Sequence, residues 1–193
     1  MTAADFISFV KKECKYYGVK CILRRSAKLR DEHRGFCAGY FDDHKLELSC
    51  AMKHPHSIMI LAHEFCHMRQ WAEKADIWVL SNDMKSYDVF GKFLKGGADI
   101  GDHLDIIRDV ELDNEKRTVR LIKELSLPID HREYTKRANL YIQFHNWMKI
   151  TGKWGTKSFS QNKRLLALVP DKFSMNYSKL PKRLETAFRE EGI

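Results

Sequence analysis

The spacing of apolar residues predicts a chain that passes from helical to extended structure and back to helical structure. Apolar positions recur every three or four residues over 3–17, and Gly18 ends that run. Apolar and polar residues then alternate in three short stretches, which predict a small antiparallel sheet of about three strands. These stretches are 19–24, 36–40 and 46–50.

Helical spacing returns at about residue 56. The segment 56–74 is apolar on most sides, as expected for a helix at the centre of a fold. The pattern predicts an α+β fold, mainly helical, with the sheet packed on this helix in a domain of residues 1–150. Residues 151–193 are predicted to be a basic extension, packed on that domain or appended to it. Further helices are predicted over 83–95 (ending at Gly96-Gly97), 102–125 and 130–150, and after Pro181.

The composition supports a folded protein without a membrane segment. Hydrophobic residues make up 44% of the 193 residues, and no apolar run approaches the ~18 residues that a membrane helix requires. The five cysteines contain no CxxC pair, and the first residues lack the basic start and apolar run of a signal peptide. We therefore expect reduced cysteines, a cytoplasmic location and no membrane partner.

The net charge of +8 raises the question of a nucleic-acid partner. Residues 1–50 carry +3 and residues 151–193 carry +5, whereas the hundred residues between them are neutral. Cations and aromatic residues mingle after residue 150, a composition that can suit single-stranded nucleic acid. The alternative is a solvated basic face with a few packing aromatics. The residues concerned are Lys153, Trp154, Lys157, Phe159, Lys163, Arg164, Tyr177, Lys179, Lys182 and Arg183.

The 56–74 segment contains His63-Glu64-Phe65-Cys66-His67, an HExxH motif. Residues four apart share a helix face, so both imidazoles can reach one zinc ion. Glu64 lies about 100° further around the helix, beside the position that a catalytic zinc keeps open. There it can act as general base towards a water and pass the proton to a leaving amine.

A catalytic zinc needs a third protein ligand. Glu111 lies on the apolar line of the 102–125 helix, where a carboxylate must be neutral, paired or bound to metal. Glu115, one turn later, is an alternative ligand or a partner that orients a zinc-bound histidine. A third interpretation is a buried Glu111 paired with a base such as Arg108. The histidine candidates are His103, His131 and His145.

The HExxH helix, followed by a second helix with Glu111 and a polar residue four positions later, resembles the gluzincin metallopeptidases. Small cytoplasmic members of the ImmA/IrrE type, and HExxH proteins found in phages, are the most similar, and the resemblance covers about residues 45–125. It implies a minimal zincin-like core and Zn²⁺ held by His63, His67 and Glu111. It also implies peptide-bond hydrolysis with Glu64 as general base, acting on a protein or peptide in the cytoplasm, or in the host cytoplasm for a phage protein.

The sequence is also compatible with two alternative functions. One is a DNA-associated protease similar to SprT-like proteins, which the HExxH motif and the net charge of +8 suggest. Such proteins supply a third histidine soon after the motif, and the next histidine here is His103, 36 residues on. The other is a non-catalytic binding or regulatory protein with a structural zinc.

Two hypotheses also concern the residues around the site. Tyr141 or His145 would stabilise a developing oxyanion, and the strand 46–51 would hold an extended substrate.

Overall fold

In the computed structural model, the described residues are 1–31, 35–96, 100–154 and 159–193. Across these ranges the protein has eight helices, a three-stranded mixed sheet and a separate two-stranded sheet, which confirms the predicted α+β class. None of the helices in these ranges has the length and hydropathy needed to cross a membrane. In chain order the elements are α1 (Ala3–Tyr16), β1 (Lys20–Arg24), β2 (Leu29–Asp31), β3 (Gly35–Cys37), β4 (Gly39–Asp42), β5 (Glu47–Ala51), α2 (Ser57–Ala72), α3 (Asp76–Asp83), α4 (Ser86–Leu94), α5 (His103–Glu124), α6 (His131–Thr151), α7 (Lys163–Leu166) and α8 (Lys182–Glu191).

The three-stranded sheet has the order β1-β5-β4. β4 and β5 are antiparallel, but β1 pairs with β5 in parallel, from Lys20 opposite Glu47 to Arg24 opposite Ala51. The prediction of an entirely antiparallel sheet is therefore wrong. Alternation with a period of two specifies which residues share a face, but it carries no information about strand direction.

The predicted strand over 36–40 proves to be two strands. Gly35–Cys37 pairs with β2 in a small hairpin, whereas Gly39–Asp42 pairs with β5. The pattern also misses α3 and α7, since a helix of eight residues or fewer shows barely two turns of periodicity. The expected helix end at Gly97 lies outside the described residues.

The chain forms two compact units, Met1–Val79 with Arg117–Ile129, and Leu80–Lys116 with Asp130–Ile193. In the first unit, α2 packs against the sheet and against α1. Phe65 of α2 meets Phe6 edge-on, with ring centroids 6.4 Å apart. On the sheet side, the thiol of Cys50 in β5 donates to the carbonyl oxygen of Ser57 at 3.5 Å. The HExxH helix is therefore held from both sides.

A group of charged side chains holds the last turn of α2. Arg69 contacts Glu13 of α1 at 3.5 Å and Glu73 at 2.6 Å. Arg117 of α5 reaches the other oxygen of Glu73 at 2.5 Å. These contacts hold the pKa of Glu73 below its usual range, although burial alone raises it. They connect α1, α2 and the C-terminal part of α5 within the first unit.

In the second unit, α6 packs with the segment that follows it. The rings of Phe144 and Phe159 stack with centroids 4.1 Å apart, and those of Trp147 and Phe188 with centroids 5.6 Å apart. Leu165 of α7 and Leu184 of α8 are fully buried in the same core. Several apolar residues after position 150 are thus part of the packed interior of this unit.

A close contact between β4 and α2 gives the first testable prediction. A Cβ on Gly39 would lie 2.6 Å from Cγ2 of Ile60 and 3.0 Å from Cγ of Glu64. Because both neighbours belong to the packed helix, we expect Gly39→Ala to destabilise the protein by about 1–3 kcal/mol. Urea denaturation monitored by circular dichroism measures the change.

Gly91→Ala is the matched control, since a Cβ there meets no atom within 4 Å. Gly91 lies inside α4, so alanine should raise stability by up to about 1 kcal/mol. Equal effects of the two substitutions would contradict the packing argument.

Candidate metal centre

The two histidines of the HExxH motif meet on one face of α2. Their Nε2 atoms lie 3.1 Å apart, and the ring centroids lie 4.7 Å apart at nearly right angles. Two nitrogens bound tetrahedrally at the usual Zn–N distance would be about 3.3 Å apart. His63 and His67 therefore already have the separation that a shared zinc ion requires.

The other nitrogen of His67 has a partner that the sequence analysis missed. Nδ1 of His67 lies 2.8 Å from Oε1 of Gln70, a fully buried residue of the same helix. An amide oxygen accepts the Nδ1 proton and leaves the Nε2 lone pair available for a metal. The spacing is the only feature of the sequence that indicates this contact between His67 and Gln70, since residues three apart on a helix are neighbours.

Glu111 completes the group. It is buried on α5, and its carboxylate and one nitrogen of each histidine all lie within 4.8 Å of one another. The hydroxyl of Tyr87 donates to Oε1 of Glu111 at 3.3 Å. Two imidazoles and a carboxylate are a donor set that zinc accepts in catalytic sites. The group His63, His67 and Glu111 can hold a metal ion.

The other candidate ligands are not members of this group. Within the described ranges, His63, His67 and Glu111 form the sole group of three or more potential ligands. Nδ1 of His103 lies 3.2 Å from the hydroxyl of Ser86. Glu115 is buried, one turn along α5 from Glu111. The SprT-like alternative therefore has no third histidine among the described residues.

His145 is a fully buried imidazole in the second unit. Its Nδ1 lies 3.0 Å from the carbonyl oxygen of Tyr141, one turn earlier in α6. Burial lowers the pKa of His145, although the negative charge of Glu111 acts in the opposite direction. The ring is therefore neutral at neutral pH, and the oxyanion role of Tyr141 or His145 stays a prediction.

Glu64 lies beside the sheet. Its Cγ is one of the atoms nearest to the site of a Cβ on Gly39, so β4 passes directly over the Glu64 side chain. Burial and the charge of Glu64 raise the pKa of the Cys50 thiol to about 12. Cys50 therefore stays protonated at neutral pH.

The basic residues after position 150 are partly paired. Arg164 of α7 forms ion pairs with Glu190 and Glu191 of α8. Arg183 donates to the carbonyl oxygen of Leu168 at 2.9 Å. Lys157, which the sequence analysis included in the basic extension, lies outside the described residues.

No model of a known protein family, no curated protein and no solved structure matches this chain. The interpretation of the site accordingly rests on the residues and their geometry.

Metal binding and the role of Gln70 can be tested together. We expect one zinc per chain, no stable binding by His67→Ala, and a 10- to 100-fold weaker affinity for Gln70→Ala, because the ring loses its orienting partner. Competition with a chromophoric chelator measures the affinity. His44→Ala, at an exposed histidine, is the control and should bind normally. Normal zinc affinity in Gln70→Ala would contradict the orienting role.

Proposed function

We propose that the protein is a zinc-dependent peptidase of the gluzincin type, acting on a protein or peptide in the cytoplasm. The observation that carries the proposal is the convergence of His63, His67 and Glu111, with Glu64 next to the first of them on the same helix. A bound zinc would lower the pKa of a water molecule towards ~7 and polarise the scissile carbonyl.

The residues of the chain have separate tasks in this proposal. His63, His67 and Glu111 would hold the metal, and Gln70 keeps the His67 ring in the tautomer whose Nε2 can bind it. Glu64 takes a proton from the attacking water and returns it to the nitrogen of the leaving amine. This transfer needs a carboxylate, which an amide of the same shape cannot replace.

The geometry of the sheet revises the predicted substrate strand. β5 lies between β1 and β4, so both of its edges are already paired and the segment 46–51 cannot take up another strand. Within the described residues, β4 pairs only with β5 and passes over Glu64 at Gly39. We therefore assign substrate binding by strand addition to β4.

Glu64→Gln tests the chemistry. We expect this variant to bind zinc with normal stoichiometry but to cleave at least 100-fold more slowly, since general-base catalysis contributes about 10²–10⁴ in rate. Cleavage is followed by mass spectrometry on a mixed library of peptides, with the wild-type protein as reference.

Glu124→Gln provides a control with the same chemical change at an exposed position of α5. It should cleave like the wild type. The wild-type protein could bind zinc and yet cleave neither the peptide library nor a denatured protein substrate. That result would favour a structural zinc. Full activity of Glu64→Gln would exclude the proposed mechanism.

A further inference from the structure

The face of the sheet turned away from α2 carries a cavity of about 210 Å³. Gly39 and Cys50 contact α2, so the alternating residues Tyr40 and Ser49 must point to the opposite face. The β2–β3 hairpin and the segment that leads into it form the rest of the wall. The lining residues are Arg24, Ser26, Lys28, Leu29, Arg30, Tyr40, Glu47 and Ser49, all within the first unit.

The carboxylate of Glu47 in this cavity is hydrogen-bonded and ion-paired to neighbouring residues. One oxygen accepts hydrogen bonds from Tyr40 at 2.6 Å and Ser49 at 3.0 Å, and the other lies 3.7 Å from Nζ of Lys20. Its charge is therefore balanced by Lys20. Glu47 holds Tyr40 and Ser49 in the wall of the cavity, and the net charge of the rim comes from other residues.

The rim is cationic. Arg24, Lys28 and Arg30 are exposed, and none of them forms an ion pair with a side chain that the structure describes. Arginines elsewhere, such as Arg69 and Arg164, are paired with glutamates. Three neighbouring cations that no described carboxylate pairs with repel one another, and an anionic ligand would relieve that repulsion.

An exposed aromatic residue adjoins these cations. Phe36 is 76% exposed, and it lies directly opposite Arg30 in the β2–β3 pairing. Cations alone would suit any anion, including an acidic peptide. Cations with a solvated aromatic ring suit a strand that carries both phosphates and unpaired bases.

We propose that this surface, the hairpin patch of Arg24, Lys28, Arg30, Phe36 and Tyr40, binds single-stranded nucleic acid. The three cations contact successive phosphates, and a base stacks on Phe36. The cavity is smaller than the roughly 300–1,000 Å³ of sites that enclose a whole small molecule. It therefore accepts one phosphate group of a longer strand. The proposal does not depend on peptidase activity.

Fluorescence anisotropy with a labelled oligothymidylate tests the proposal on the full chain. Replacing Arg24, Lys28 and Arg30 together by glutamate should weaken binding at low salt by at least tenfold. It should also reduce the slope of log affinity against log salt by about two, since each phosphate contact on a single strand contributes about 0.7. Phe36→Ala should weaken binding roughly tenfold and leave the salt slope unchanged.

The matched control replaces Lys11, Lys12 and Lys15, exposed on α1, by glutamate, which changes the net charge by the same amount. It should retain most of the binding, and circular dichroism should show that all variants are folded. Equal loss in the two triple variants would overturn the proposal in favour of attraction by net charge alone. Polyglutamate and unlabelled oligothymidylate should be compared as competitors of the labelled strand. If polyglutamate displaces it equally well, the patch binds acidic proteins instead. Measurement with and without a zinc chelator should give the same affinity, which separates this result from the test of the peptidase.

Discussion

The first unit is organised around the burial of polar groups on α2. His67 and Gln70 lie inside the protein, and a buried imidazole or amide is costly unless its hydrogen-bonding atoms are satisfied. The contact between Nδ1 of His67 and Oε1 of Gln70 meets this requirement for both of these atoms within one helix. Apolar residues on the remaining sides of α2, among them Phe65 and Met68, then pack without leaving an isolated polar group.

The sheet also lies close to this helix. β4 crosses α2 at Gly39, where the missing side chain lets the strand backbone approach Ile60 and Glu64. A larger residue would separate the strand from the helix and move the Glu64 side chain. One small residue therefore sets both the packing of the layer and the position of the proposed general base.

The sequence was informative where the signal is local. The spacing of His63 and His67, and the place of Glu111 on an apolar line, depend only on helix periodicity, and the structure brings these three residues together. The parallel pairing of β1 with β5 and the β2–β3 hairpin could not be predicted in this way, because they depend on which distant segments meet. The positive charge of the C-terminal segment predicts a basic extension, whereas its apolar residues Leu165, Leu184 and Phe188 form part of a core.

The strand order has a consequence for the route by which the first unit folds. β4 and β5 are joined by a short turn in which Asp42 accepts hydrogen bonds from the backbone N–H groups of His44 and Lys45. This hairpin closes a small loop, whereas the parallel pairing of β1 with β5 closes a much longer one at a greater entropic cost. We therefore expect the hairpin to form early and to act as the template on which β1 docks later, so that the parallel pairing is the slower step in forming this sheet.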